Sequence, residues 1–148
     1  MAVKPIPDSY GTVTPYLIVD GAAVLLDFVQ TAFGAKERMR MPGPGETVGH
    51  AEVTIGDSTV MMGDAGGEWS AMPAYLYLYV EDCDSTYKRA LRAGGTSVKE
   101  PEDRFYGDRT ATVRDPVGNM WSIATHVEDL SDDEMAKRLA EFTAEQTV

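Results

Sequence analysis

The chain has a single cysteine, Cys83, and only two histidines among its 148 residues. One thiol cannot close an internal disulfide or build a multi-thiolate zinc site. Acidic neighbours Glu81, Asp82 and Asp84 also oppose its activation as a nucleophile. Long apolar runs are missing, since nothing approaches the roughly 20 residues that span a bilayer. The opening Met1-Ala2-Val3-Lys4-Pro5-Ile6-Pro7 lacks the apolar stretch of a secretory signal. Basic charge is scarce, with 13 Lys and Arg against 24 Asp and Glu and a net charge of −11. That field repels phosphate backbones and anionic lipid, which leaves no nucleic acid and no membrane among the expected partners. The glycines of Gly63-Asp64-Ala65-Gly66-Gly67 have no lysine to complete a phosphate cradle. Apolar residues make up 43% of the chain, too many for a disordered acidic polymer and enough for one core. The expectation is one cytoplasmic, reduced domain over residues 1–148.

The pattern of elements repeats. Thr14-Pro15-Tyr16-Leu17-Ile18-Val19 reads as a strand, and Asp20-Gly21 leads into a helix over 22–33 that stops at Gly34. Tyr75-Leu76-Tyr77-Leu78-Tyr79-Val80 repeats the strand, and a second helix carrying Tyr87, Ala90 and Leu91 stops at Gly94-Gly95. Val19 falls on Val80 and Gly34 on Gly95 under one offset. Strands over 36–41, 50–55 and 59–62 complete the first half, the last two joined by the hairpin signal Gly56-Asp57. Strands over 96–99, 109–114 and 120–125 complete the second, with the turn Asp115-Pro116-Val117-Gly118 between the last two. The predicted fold is α+β, two tandem β-α-β-β-β modules over about 12–64 and 74–126. A linker spans 65–73, and Ser131-Asp132-Asp133-Glu134 caps a C-terminal helix over 131–146.

These stretches resemble the vicinal oxygen chelate superfamily of glyoxalases, bleomycin-resistance proteins and extradiol dioxygenases, and within it the PhnB-like branch. Phe33-Gly34-Ala35, Gly49-His50-Ala51-Glu52, Tyr106-Gly107-Asp108-Arg109 and Asp115-Pro116-Val117-Gly118-Asn119-Met120-Trp121 carry the resemblance. It implies the glyoxalase/bleomycin-resistance fold and a homodimer in which modules of two chains complete each cleft. It also implies a divalent metal held from the first and last strand of each module. Carried over one by one, those positions are Thr14, Met61 with Met62 beside it, Tyr75 and Ser122. Methionine, a phenol and two hydroxyls are not a donor set for such an ion, so no metal and no cofactor are expected.

Strand alternation indicates what lines the cleft instead. Tyr16 and Ile18 share one face of the first strand, and Tyr75, Tyr77 and Tyr79 one face of its repeat, with the aliphatic residues turned to the helices. Met61, Ser122, His50 and Glu52 complete the lining. Trp69 is placed as a lid or a turn anchor, and Arg109 as a carboxylate clamp or a surface ion pair. Rings with hydroxyl tips suit a flat, partly apolar small-molecule ligand. Sequestration of an aromatic or amphipathic compound, antibiotics included, is therefore the leading expectation, and the negative field favours a cationic ligand. The other reading is a metal-dependent enzyme of the superfamily with relocated ligands at His50 and Glu52, joined by His126. A hydrogen-bonded pair fixing one strand is the plainer account of His50 and Glu52.

Overall fold

The computed structural model describes residues 2–146. Strand β1 (Tyr16–Val19) leads to helix α1 (Ala22–Phe33), then β2 (Lys36–Pro42), β3 (Val48–Ile55) and β4 (Ser58–Asp64). The plan repeats as β5 (Tyr75–Tyr79), α2 (Cys83–Arg92), β6 (Thr96–Asp103), β7 (Asp108–Arg114) and β8 (Met120–His126), and α3 (Asp132–Gln146) follows. Two four-stranded sheets result, in the orders β1-β4-β3-β2 and β5-β8-β7-β6. In each, the first strand runs parallel to the last and the other neighbours are antiparallel. The repeat read from the sequence is thus a repeat of topology, and the α+β class holds.

Alternation sorts the strand faces as the sequence implies. Leu17 and Val19 are buried behind β1, as are Trp121 and Ile123 behind β8, all against the helices. Helix α1 buries Leu25, Leu26, Phe28, Val29 and Ala32, and α2 buries Thr86, Tyr87 and Ala90. The two helices pack on each other, which joins the modules. Gly95 makes that approach possible, because a Cβ there would stand 2.9 Å from the Ala90 carbonyl oxygen and 3.2 Å from the Phe28 ring. Strand β6 runs four residues past its predicted end at Lys99. Pro101 falls in an irregular stretch of an edge strand, where its missing N–H leaves no gap in the ladder.

One carboxylate locks each module. In the second, Asp115 accepts from the backbone N–H groups of Val117 and Asn119, from Asn119 Nδ2 and from Trp121 Nε1, all within 3.0 Å. Asn119 then accepts from the Ala74 N–H, which aligns the start of β5. The turn motif is therefore a ring of donors around a buried acid. In the first, Asp64 accepts from the Gly21, Ala22 and Val48 N–H groups at 2.8 Å each. It caps α1 from a distance, since Gly21 has no side chain to do so. Replacing Asp115 with Ala strands all four of its backbone and side-chain donors, and by the cost of buried unsatisfied groups it should lower stability by about 3 kcal/mol. The shift of the urea midpoint measures this, and D115N, which keeps one acceptor oxygen, should fall between.

Candidate functional site

Within one chain the open face of each sheet carries its own cavity. In module 1, a cavity of about 430 Å³ is lined by Tyr16, Ile18, Gly49, Gly63, Asp64 and Trp69. Its floor is glycine because nothing larger fits. A Cβ on Gly63 would lie 2.8 Å from the Gly49 carbonyl oxygen and 3.1 Å from the Tyr16 hydroxyl. Trp69 sits at the end of a tight turn closed by paired Gly66–Trp69 backbone bonds of 2.8 and 2.9 Å. Gly67 supplies the left-handed φ of 56° that the turn needs. The turn presents the indole, 61% exposed, to the cavity. Trp69 is turn-anchored and pocket-lining at once.

A line of hydrogen bonds runs away from this cavity. The Tyr16 hydroxyl lies 3.1 Å from His50 Nδ1, and His50 Nε2 lies 2.7 Å from Glu52 Oε2. Glu52 is 4% exposed and takes a further hydrogen bond from the Tyr10 hydroxyl on its other oxygen. Residues His50 and Glu52 share a face of β3, as their spacing implies. Glu52, however, does not line open space, because the N-terminal segment that carries Tyr10 covers it. Burial acts to raise the Glu52 carboxyl, but the hydrogen bonds from His50 and Tyr10 outweigh it and hold it below its ordinary value. The Arg38 guanidinium stands 5.1 Å from the Tyr10 ring centre and adds positive charge. The part played by Tyr10 escaped the sequence reading, since no local spacing links it to Glu52.

In module 2, a cavity of about 780 Å³ opens between the sheet and α3, with Tyr75, Tyr77, Met120, Ser122, Phe105 and Phe142 in its wall. Helix α3 is held there by Phe142 on Phe105, ring centres 4.8 Å apart, and by Arg138, which donates to Glu128 and to the Phe105 carbonyl. The tail helix thus lies over the open face of the second sheet. Tyr75 pairs with Ser122 at 2.5 Å, while the Tyr77 and Tyr79 hydroxyls both donate to Asp108. Tyr79 turns toward a crevice between the modules that it shares with Leu76, Leu78 and Ile55. Arg109 departs from the clamp expectation. Its guanidinium is committed to Asp84 on α2 and to Asp103 on β6, at 2.7 and 3.1 Å. Cys83 is buried, and burial pushes its thiol up to about 11.

The four carried-over metal positions stay in pairs. Thr14 and Met61 share a cavity with Pro5, Ile6, Pro7 and Tyr10 of the N-terminal segment, and Tyr75 meets Ser122 in module 2. These donors do not suit a hard or borderline divalent ion. Nor does the relocated set assemble: His50 stands in the first sheet with both ring nitrogens engaged, and His126 ends β8 in the second. Among the described residues no group of three or more His, Cys, Asp or Glu is placed to hold a metal ion.

Fold and motifs together define a class. The Glyoxalase/Bleomycin resistance protein/Dioxygenase superfamily matches residues 10–123, and the chain belongs to it. An uncharacterized protein of Mycobacterium bovis is 38% identical over 133 residues, covering 82% of this chain and 88% of that protein. The anthracycline biosynthesis protein DnrV of Streptomyces peucetius is 33% identical over 124 residues, covering 82% of this chain and 42% of DnrV. Among solved structures, TioX from Micromonospora sp. ML1 superposes with a TM-score of 0.67 at 24% identity, over 79% of this chain and 99% of TioX. Among the described residues no helix is long and apolar enough to cross a membrane.

Asp108 and His126 give the second module a pH signature. Burial acts to raise the Asp108 carboxyl, but hydrogen bonds from His126, Tyr77 and Tyr79 hold it below its ordinary 3.8. His126, which bonds Asp108 at 2.9 Å and Asp129 at 2.7 Å, is raised above its ordinary 6.5 by the Asp108 bond first and the Asp129 bond second. The depressed acid stabilises the fold above 3.8 and loses that effect as pH falls through its lowered value. The raised imidazole stabilises it below 6.5 and loses that effect as pH rises through its raised value. Thermal melts of His126→Gln should therefore fall furthest below wild type between pH 3.8 and 6.5 and converge with it above the histidine transition.

Proposed function

We propose that this protein binds and sequesters a small aromatic or amphipathic molecule, antibiotic-type compounds among them, without catalysing its conversion. Membership of the PhnB-like branch of the superfamily is part of the proposal, and the motifs Gly49-His50-Ala51-Glu52 and Tyr106-Gly107-Asp108-Arg109 support it. The observation that carries the reading is the module 1 cavity, where Tyr16 and Trp69 stand over a glycine floor. A cavity of about 430 Å³ lies within the range of small-molecule sites, roughly 300–1,000 Å³. Two rings facing bare backbone form a slot for a planar ligand, with stacking and desolvation as the source of affinity. The tyrosine-walled cavity of module 2 repeats the chemistry under α3. The relative named for anthracycline biosynthesis supports a polycyclic aromatic as the ligand class.

Tyr75 and Tyr79 are more than 60% exposed in the single chain. A homodimer that sets modules of two chains face to face would cover such faces, and it is part of the proposal. The net charge of −11 favours ligands with a cationic or weakly basic group.

Intrinsic fluorescence tests the binding directly. The chain has two tryptophans, and Trp121 is 1% exposed in the core, so a ligand in the module 1 cavity reports through Trp69. Titration with fused-ring aromatics should give saturable quenching that Trp69→Phe abolishes. A flat response to every such compound, cationic ones included, would refute the binding function.

A further inference from the structure

The hydrogen-bonded line from Tyr16 to Glu52 has a direction. A buried carboxylate accepts hydrogen bonds and has none to give, so His50 Nε2 carries the proton that points at Glu52. Nδ1 is then the acceptor, and the Tyr16 hydroxyl donates to it across 3.1 Å. With its proton turned to His50, the Tyr16 oxygen keeps a lone pair free to accept from elsewhere. That oxygen lies just above Gly63, on the wall of the Trp69 cavity. The arrangement is hydroxyl, imidazole, carboxylate, with the hydroxyl at a ligand slot and the carboxylate sealed from water by Tyr10.

A merely structural histidine in this same protein looks different. His126 lies between two carboxylates, Asp108 and Asp129, both of which its ring nitrogens must donate to. It has no acceptor to offer. His50 has one carboxylate and one hydroxyl, and so retains one. The charged and titratable groups around it are Tyr16 on β1, Glu52 on its own strand, Tyr10 of the N-terminal segment with Arg38 of β2 above it, and Asp64 at the end of β4. Asp64 is bound by three backbone N–H groups, which leaves Glu52 as the counter-ion of the imidazole.

We propose that the module 1 cavity takes a planar phenol and that the Tyr16–His50–Glu52 line accepts its proton. This rests on the aromatic-binding reading above and names the ligand class. The ligand O–H donates to the Tyr16 oxygen. As that O–H bond breaks, a new one forms on Tyr16, and the original Tyr16 proton passes to His50 Nδ1. The products are a bound phenolate and an imidazolium held by the Glu52 carboxylate. No proton leaves the complex and its total charge is unchanged, so the transfer is compatible with the acidic surface.

The probe is 2-hydroxyanthraquinone, whose phenolate absorbs at longer wavelength than the phenol, with 2-methoxyanthraquinone as the non-ionisable partner. At a pH where the free dye is un-ionised, the bound hydroxy compound should show the phenolate band. Calorimetry in buffers of different ionisation enthalpy should show no net proton exchange. Tyr16→Phe keeps the ring at an exposed hydroxyl, and His50→Gln keeps the size of the imidazole. Either should lower the band at least tenfold per mole of 2-hydroxyanthraquinone bound, with 2-methoxyanthraquinone titrated into the same variant to report any change in binding itself. Binding of both dyes without the band overturns the proton transfer alone, and so does a band accompanied by release of one proton to buffer. Persistence of the band in Tyr16→Phe overturns the relay. Absence of binding by both dyes overturns the phenol assignment, and the aromatic-binding function falls with it only if every fused-ring compound of the fluorescence titration also fails to bind.

Discussion

An ionised carboxylate taken out of water must be ringed by donors, and this fold is organised around four such acids. Glu52, Asp108 and Asp115 are each about 4% exposed, and Asp64 is half-sheltered at the end of β4. Asp115 fixes the last hairpin and, through Asn119, the strand that begins module 2. Asp64 sets the start of α1 and of β3 together. Glu52 and Asp108 instead collect tyrosine and histidine side chains on the open faces. Removing a member of such a ring leaves the others desolvated without a partner, which is why these sites are costly to alter.

The same rule separates the two faces. In module 1 the donors to Glu52 include Tyr10, so the N-terminal segment is drawn across the sheet and closes one side of it. In module 2, Asp108 uses Tyr77, whose ring remains on the wall, and Tyr79 beside it, and the roof is supplied by α3. One duplicated scaffold thus presents two unlike surfaces. The first is a small slot over glycine with a hydrogen-bonded line behind it. The second is a wide groove under a helix, lined by rings and methionine. The positions at which the resemblance implies a metal carry hydrogen-bonding and packing side chains here, of which Tyr75 with Ser122 is the plainest case.

Much of this was legible in order along the chain. The repeat, the helix stops at Gly34 and Gly94-Gly95, and the sides taken by Leu17, Val19, Trp121 and Ile123 all follow from periodicity. The common face of His50 and Glu52 follows from their spacing. What was not legible depends on contacts far apart in sequence. Nothing local shows that Tyr10 reaches Glu52, or that Asp64 caps a helix beginning 42 residues earlier at Ala22. The commitment of Arg109 to Asp84 likewise required the packing of α2 on β7. Alternation placed Tyr75 and Tyr77 on the open face of β5 but could not show that Tyr79 turns to the crevice between the modules, or that the open faces of the two modules stand apart in one chain. The extension of β6 through Pro101 was hidden because proline normally argues against a strand.

The positions of the two terminal segments have a practical consequence. Residues ahead of Thr14 cover the Glu52 side of one groove, and α3 roofs the other, so both ends of the described chain lie on the two cavity-bearing faces. An affinity handle, a fluorescent fusion or a surface tether attached at either end would crowd those surfaces. The loop around Pro44, Gly45 and Glu46 is exposed and belongs to neither cavity wall, which makes it the better point of attachment for immobilised or reporter-linked forms.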